Sequence, residues 1–369
     1  MNVFTVLGTR PEAIKLAPVI HEVQRRAGMR NTICVTGQHR ELLDPFLGLF
    51  ELEPDINLNV MQPNQTLASL SARIIQGVDW VLEAQRPDVV LVQGDTTTVM
   101  AAALAAFYRK VSVGHVEAGL RSGDRFNPFP EELNRCLADQ LSDYLFAPTQ
   151  RARTYLLKEG FSTERIFVTG NTVIDALLWV VQRLPKHPDP AWALPRLDPD
   201  RRLILVTGHR RESFGAGFEQ ICLGLRDVVQ AHPDVEIVYP VHLNPQVRGP
   251  VTERLGGFER IHLLPPLGYR PFVYLMKRAH LILTDSGGVQ EEAPALGTPT
   301  LVMRRVSERP EGVEAGVAKL IGTDANVMLR EVTRLLNDAD AHRRMARALN
   351  PYGDGHAAQR IVDTLLGVS

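Results

Sequence analysis

The stretch Leu281-Ile-Leu-Thr-Asp-Ser-Gly-Gly-Val-Gln-Glu-Glu292 decides how this chain is read. Residues 281–283 are apolar at consecutive positions, the pattern of a strand covered on both faces. Gly287 and Gly288 allow a close backbone approach, and the residues beyond them read as a helix with Ser286 as its N-cap. A helix start reached directly from a buried strand offers unpaired N–H groups and the positive end of the helix dipole, which suit a phosphate or diphosphate. Glu291 and Glu292 fall in the first turns, where they favour the dipole and where a carboxylate can also meet sugar hydroxyls.

Outward from this point, short apolar runs alternate with amphipathic segments, which predicts parallel sheets covered by helices. Strands are expected at 203–206, 236–239, 261–264, 281–283 and 300–302. In the first half they are expected at 3–7, 32–35, 89–92, 111–116, 144–147 and 166–168. A helix from about 11 to 26 opens with Pro11 and Glu12, and another spans about 66–85. Between 184 and 201 five prolines interrupt the pattern, so this is the expected linker. The last helices are expected at 326–337, 342–348 and 357–366, with the turn Asn350-Pro-Tyr-Gly-Asp-Gly355 redirecting the final one toward the first domain. Two similar α/β layers imply a cleft between them.

At 369 residues the chain accommodates two domains and a substantial core. Its 41 basic and 42 acidic side chains give a formal charge of −1, with no basic excess that points to nucleic acid. No apolar run is long enough to cross a bilayer, and Met1-Asn2 leads into an apolar strand without a charged leader, so a cytoplasmic location is expected. Cys34, Cys136 and Cys222 are odd in number and far apart, which favours reduced thiols over disulfides or metal ligands.

Polar residues gather just after the expected strand ends, where parallel sheets bind ligands. Gly8-Thr-Arg-Pro-Glu-Ala-Ile-Lys15 places Arg10 and Lys15 where both can face one anion, although the same pattern suits a plain strand-to-helix turn. Asp95, in Gln93-Gly-Asp-Thr-Thr-Thr98, is either an acid–base group or simply an N-cap. Glu117 ends a buried strand in Gly114-His-Val-Glu-Ala-Gly-Leu-Arg121, and Glu131 follows in the next loop. Asp95, Glu117 and Glu131 can thus converge as acids and bases. His209, in Thr207-Gly-His-Arg-Arg-Glu-Ser213, suits neutralising or protonating a phosphate, or a packed turn; His242 suits a ligand contact or a helix cap. There is no P-loop, no serine elbow and no metal-spaced cluster. Gly353-Asp-Gly-His-Ala-Ala358 has dinucleotide spacing but no preceding strand. No metal and no cofactor are therefore expected.

Several unusual stretches belong together: GTRPEAIK at 8–15, GDTTT at 94–98, GHVEAGLR at 114–121, GNTVID at 170–175, GHRRES at 208–213, DSGGVQEEAP at 285–294 and NPYGDG at 350–355. With these the chain closely resembles the bacterial non-hydrolysing UDP-N-acetylglucosamine 2-epimerases, from its first strand to its last helix. The resemblance implies an α/β fold with two Rossmann-like parallel-sheet domains in a GT-B arrangement, the active site in the interdomain cleft. On this reading 1–170 form the N-terminal domain, 171–355 the UDP-binding domain, and the final helix, about 356–369, packs back on the first. It further implies a homodimer and a reversible C2 epimerisation of UDP-GlcNAc to UDP-ManNAc. UDP is eliminated to leave a 2-acetamidoglucal and then re-added, supplying ManNAc for cell-surface polysaccharide. Direct proton abstraction at C2 would be too slow, because no adjacent carbonyl acidifies that hydrogen.

Carried over by position, Arg10, Lys15, Asp95, Glu117, His209, Ser286, Gly287, Gly288, Glu292 and Arg309 match nucleotide-sugar contacts of the family, and Phe272 falls where the family contacts uracil. Asp95, Glu117 and Glu131 match its proton-transfer residues, with His209 as the cation beside the diphosphate. Leu267 stands where some members carry glutamine. Gln38, Arg210 and His242 match a second, activating UDP-GlcNAc site, while Glu41 and Asn64 depart from residues found there in some members. Three other readings use the same nucleotide grip: a GT-B glycosyltransferase, a hydrolysing epimerase and a non-catalytic UDP-sugar sensor. The sensor would leave Asp95, Glu117 and Glu131 without work.

Overall fold

A computed structural model describes residues 1–37 and 40–368, with the backbone alone for 40–42. Two compact units result, Met1–Ala176 joined by the chain from Gly353 onward, and Leu177–Tyr352.

Among the described residues the first unit holds seven strands: β1 (Asn2–Leu7), β2 (Arg30–Val35), β3 (Ile56–Asn57), β4 (Val89–Gln93), β5 (Ser112–Val116), β6 (Tyr144–Ala147) and β7 (Ile166–Val168). They form one parallel sheet in the order β3-β2-β1-β4-β5-β6-β7. The second unit holds β8 (Arg202–Thr207), β9 (Val235–Pro240), β10 (Ile261–Leu264), β11 (Leu281–Thr284), β12 (Thr300–Val302) and β13 (Ala318–Leu320), parallel in the order β10-β9-β8-β11-β12-β13. Chain order reverses between β1 and β4 and again between β8 and β11. The crevice outside the carboxyl ends at such a point is where doubly wound sheets bind ligands.

Continuous apolar runs explain the sheets. All five residues of β4 and all four of β11 are buried, and each fully buried Val or Leu side chain contributes about 1.5–3 kcal/mol. The helix Thr97–Tyr108 is alanine-rich, with Ala101, Ala102, Ala103, Ala105 and Ala106 fully buried. These small side chains let it pack closely between its helical neighbours Leu67–Gln85 and Glu131–Leu141. Overpacking there, as in Ala102→Leu, costs about 1–3 kcal/mol.

The strand expectations hold, and two strands escape the sequence. The short edge strands β3 and β13 have too few apolar positions to stand out. The chain passes between units at Ala176–Leu177 and Tyr352–Gly353, not at 170 and 355. Asn171 and Asp175 explain the shift. Asn171 bonds to Glu117, and Asp175 accepts hydrogen bonds from Ala357 N at 3.2 Å and Ala358 N at 2.9 Å, which caps the final helix Ala357–Leu365 within the first unit. That helix also packs on Arg10–Arg25, where Arg26 pairs with Asp363 at 2.5 Å. The proline-rich 184–201 stretch is no linker between the units. It lies on the second unit, with Trp192 edge-on to Tyr274 at 5.7 Å and, just before the stretch, the Arg183 carbonyl accepting from Arg270 at 2.8 Å.

Candidate active site

At the first reversal point, β1 is followed by Gly8, where an added Cβ would lie 2.3 Å from Thr98 Oγ1, so only glycine lets the two segments approach. Glu12, 1 % exposed, ties these loops together. Its carboxylate accepts from the Gly8 and Thr9 amides, from the Thr9 hydroxyl at 3.0 Å and from the Thr96 hydroxyl at 2.7 Å. Burial outweighs those bonds and raises the Glu12 pKa from 4.5 to about 7.

Glu117 follows β5 with φ at +72°, a left-handed conformation that a non-glycine residue adopts only under constraint from its surroundings. The backbone holds it there, because the amides of Glu117 and Ala118 both donate to the Phe146 carbonyl, at 3.0 and 3.1 Å. Its carboxylate receives Lys15 Nζ at 2.5 Å, Gln93 Nε2 at 2.5 Å and Asn171 Nδ2 at 3.1 Å. Three segments besides its own therefore meet on one buried acid.

Asp95 stands beside this group, one residue beyond Gly94, which has a φ of +84°. Thr96, not Asp95, caps the following helix, its hydroxyl accepting from Val99 N at 3.4 Å. The Asp95 side chain is instead paired with Arg135, and its carbonyl accepts from Asn134 Nδ2 at 3.0 Å. Arg135 also binds Glu132 at 3.0 Å. Glu131, half-buried at the start of the helix Glu131–Leu141, stands outside these two carboxylate networks. Arg10 lies over the Phe46 ring at 5.4 Å.

At the second reversal point Asp285 is fully buried and accepts from the backbone amides of His209 at 2.7 Å and Arg210 at 2.8 Å, with His209 Nδ1 3.1 Å away. Burial opposes its charge, yet the His209 ring and these amides hold its pKa below the ordinary carboxylate value. His209 is thereby fixed beside the helix Gly287–Ala295 and stacks on His242, their centroids 5.7 Å apart. His242 Nδ1 accepts from Asn244 N at 3.1 Å, and it is Asn244 that caps the helix Pro245–Leu255.

Ser286 occupies the N-cap position of the helix Gly287–Ala295 but makes no capping side-chain bond, contrary to the sequence expectation. The Thr284 hydroxyl takes over locally by accepting from Ser286 N at 3.0 Å, which keeps the chain extended. A Cβ on Gly287 would sit 3.9 Å from Arg210 Nη2, and one on Gly288 3.9 Å from Ser286 Oγ. Polar groups thus crowd a helix start that has anion-binding character. Glu292 accepts from the Tyr269 hydroxyl, and burial together with this carboxylate pushes the phenol well above its ordinary pKa, so it remains a donor. Phe272 is half-buried on the same helix as Tyr269. Arg309 pairs with Glu291, and its carbonyl accepts from the Tyr352 hydroxyl at 3.1 Å.

The family model described as UDP-N-acetylglucosamine 2-epimerase matches residues 21–366 of this chain. The chain belongs to the UDP-N-acetylglucosamine 2-epimerase family. It is 54% identical over 369 residues to UDP-N-acetylglucosamine 2-epimerase of Yersinia pestis, covering 99% of this chain and 98% of the relative. Among solved structures it is similar to UDP-GlcNAc 2-epimerase from Neisseria meningitidis bound to UDP-GlcNAc, with TM-score 0.87, 47% identity and 100% of both chains covered. UDP-GlcNAc 2-epimerase from Methanocaldococcus jannaschii gives TM-score 0.89 at 36% identity, again over 100% of both chains.

Within this epimerase family chain, then, Lys15 and Glu117 are brought together, Asp95 lies in the same loop cluster, and His209 joins Ser286, Gly287 and Gly288 in the second unit. Of the residues matched to a second site, Arg210 lies 3.5 Å from Glu308 and His242 stacks on His209. Gln38 lies outside the described residues. Sequence reasoning missed Glu12, Gln93, Arg135, Asn171, Tyr269 and Asp285 as partners. Gln93, Asn171 and Asp285 each end or follow a strand inside a recognisable motif, and that position was the available signal. Among the described residues no helix is long and apolar enough to cross a membrane, and no cluster of three or more metal-ligating side chains occurs.

Proposed function

We propose that this chain interconverts UDP-GlcNAc and UDP-ManNAc by eliminating and re-adding UDP. The observation that carries this reading is the buried Glu117 carboxylate, held by Lys15, Gln93 and Asn171 at the ligand-binding end of the first sheet. A group so placed suits proton transfer, which general acids and bases accelerate by about 10²–10⁴-fold.

On this reading the proton leaves C2 as the C1–O bond breaks, and that bond's electron pair departs with the diphosphate. A 2-acetamidoglucal with a C1=C2 double bond remains. Return of UDP to C1 and of a proton to the other face of C2 gives the epimer. The helix start at Gly287, with His209 and Arg210 beside it, suits the diphosphate, because fixed amide dipoles and a cation stabilise the charge that develops there. Glu292 and Arg309 suit the nucleoside, and Phe272 the base. Asp95, Glu117 and Glu131 carry the proton chemistry. Retaining UDP distinguishes this reaction from hydrolysis, and the carboxylates of the first unit favour it over sugar transfer to an acceptor.

The same reading includes pairing of two copies, supported by exposed apolar side chains on two packed helices: Phe107 and Tyr108 on one, Leu133 and Leu137 on the other. It also includes activation by UDP-GlcNAc at a second site built with Gln38, Arg210 and His242, and a cytoplasmic supply of ManNAc units for surface polysaccharide. Light scattering that gives the mass of one chain would remove the pairing. Sigmoidal initial rates against UDP-GlcNAc support activation, and hyperbolic rates down to low substrate remove it.

The deciding experiment incubates the purified protein with UDP-GlcNAc in deuterated water and follows the sugar by NMR. Deuterium at C2 with UDP-ManNAc appearing is the expected result. An unchanged sugar, or one-way loss of UDP, would overturn the proposal.

A further inference from the structure

His115 is the penultimate residue of β5, opposite Val92 of β4, and is fully buried. Its Nδ1 is 2.6 Å from Asp139 Oδ1 and its Nε2 is 2.7 Å from the Gly94 carbonyl oxygen. A carbonyl oxygen can only accept. Asp139 is held as a carboxylate by the Arg121 guanidinium, which lies 2.7 Å from its Oδ2. Both ring nitrogens therefore face acceptors, and the arrangement is satisfied in full only when both carry a proton. Asp139 Oδ2 meanwhile takes Arg121 Nη2 at 2.7 Å and the Gly119 amide at 3.2 Å.

The placement of these contacts gives them a consequence for the site. Gly94 immediately precedes Asp95. Gly119 and Arg121 lie just beyond Glu117. Asp139 sits on the helix that begins at Glu131 and that also sends Asn134 to the Asp95 carbonyl and Arg135 to the Asp95 carboxylate. The three carboxylates assigned to proton transfer thus hang from three segments that meet at one buried ion pair. We infer that His115, paired with Asp139, is a positioning residue: a clamp that donates from both ring nitrogens and sets the register of Asp95, Glu117 and Glu131. It touches no substrate and acts through the Gly94–Asp95 peptide. This deepens the epimerase reading and rests on it.

Two substitutions separate the two ends of the clamp. His115→Asn places an amide near the Nδ1 position, keeping Asp139 and releasing Gly94. His115→Gln reaches the Nε2 position and keeps Gly94. Misplacing a reacting group by about 1 Å costs about a hundredfold. His115→Asn is therefore expected to lower kcat by about ten- to a hundredfold, with KM for UDP-GlcNAc little changed, because the nucleotide grip lies in the other unit. His115→Gln is expected to recover most of that loss. A normal kcat in His115→Asn, a rise in KM matching the fall in kcat, or a Gln variant no better than Asn would overturn the clamp. Circular dichroism establishes that the variants fold. Neutron diffraction on the unaltered protein needs neither variant nor turnover: deuterium on both His115 nitrogens is expected, and a ring carrying only one overturns the inference. An unaltered protein without C2 exchange would refute the epimerase reading instead, leaving the neutron result to decide the clamp.

Discussion

Lys15 Nζ lies 2.5 Å from Oε1 of Glu117, although 102 residues separate them in the chain. Both side chains are largely withdrawn from water, so their attraction is little screened. Losing one partner of a buried ion pair costs more than the net worth of the pair. Lys15→Met and Glu117→Gln should each destabilise the first unit, and the double variant should be less harmed than the two losses together by about 1–3 kcal/mol. Denaturant unfolding of all four proteins measures this coupling. Strict additivity would show that the contact carries no energy.

Turnover and nucleotide binding should separate. Asp95→Asn and Glu117→Gln remove acid–base groups in one unit, while the proposed diphosphate grip lies in the other. Each substitution should lower kcat by about 10²–10⁴-fold with UDP affinity nearly unchanged by calorimetry. Normal turnover in either variant would take that residue out of the mechanism.

Glu12 makes stability depend on pH. Its folded pKa, about 7, lies above the ordinary 4.5, so the native state holds this proton more tightly than the unfolded chain does. The stabilisation is fully present below pH 4.5 and is lost as pH rises through 7, by roughly 3 kcal/mol in all. Glu12→Gln can keep the contacts, its carbonyl accepting from the Gly8 and Thr9 amides and its amide donating to the Thr9 and Thr96 hydroxyls. The Tm difference between this variant and the unaltered protein should therefore shift in the variant's favour between pH 4.5 and 8. A difference that stays constant across that range would refute this account.

Asp285 orders the nucleotide side. It accepts from the amides of both His209 and Arg210, so Asp285→Ala frees the loop that presents them. Losing hydrogen bonds to a buried charged group costs about 1.5–3 kcal/mol each. UDP should bind at least tenfold more weakly, with the loss largest for the diphosphate and smallest for uridine. Equal weakening of both ligands would place the effect elsewhere.

The fold was largely legible because its signals are local. Runs such as 89–92 and 281–283 are apolar at every position, and the glycine turns after them mark where loops begin. The edge strands β3 and β13 were not legible, since two or three residues, of which only Ala318 is buried, carry little pattern. The prolines of 184–201 read as a linker because proline density reports broken helices and strands. It does not report whether the broken segment packs, and this one does.

The candidate site was legible as residues but not as partnerships. Alternating apolar runs determined two parallel-sheet units and polar loops at strand ends, and the motifs, through the family they resemble, nominated Asp95, Glu117, His209 and the Ser286–Gly288 turn. Only the tertiary structure decided that Asp95 is not a helix cap, that Ser286 makes no capping bond, that Arg135 meets Asp95 and that His115 bridges Asp139 and the Gly94 carbonyl. The physical reason is the crossover in a parallel sheet. Each strand end lies beside neighbours many residues away in the chain, so local sequence sets which side chain is offered, and strand order sets what it meets.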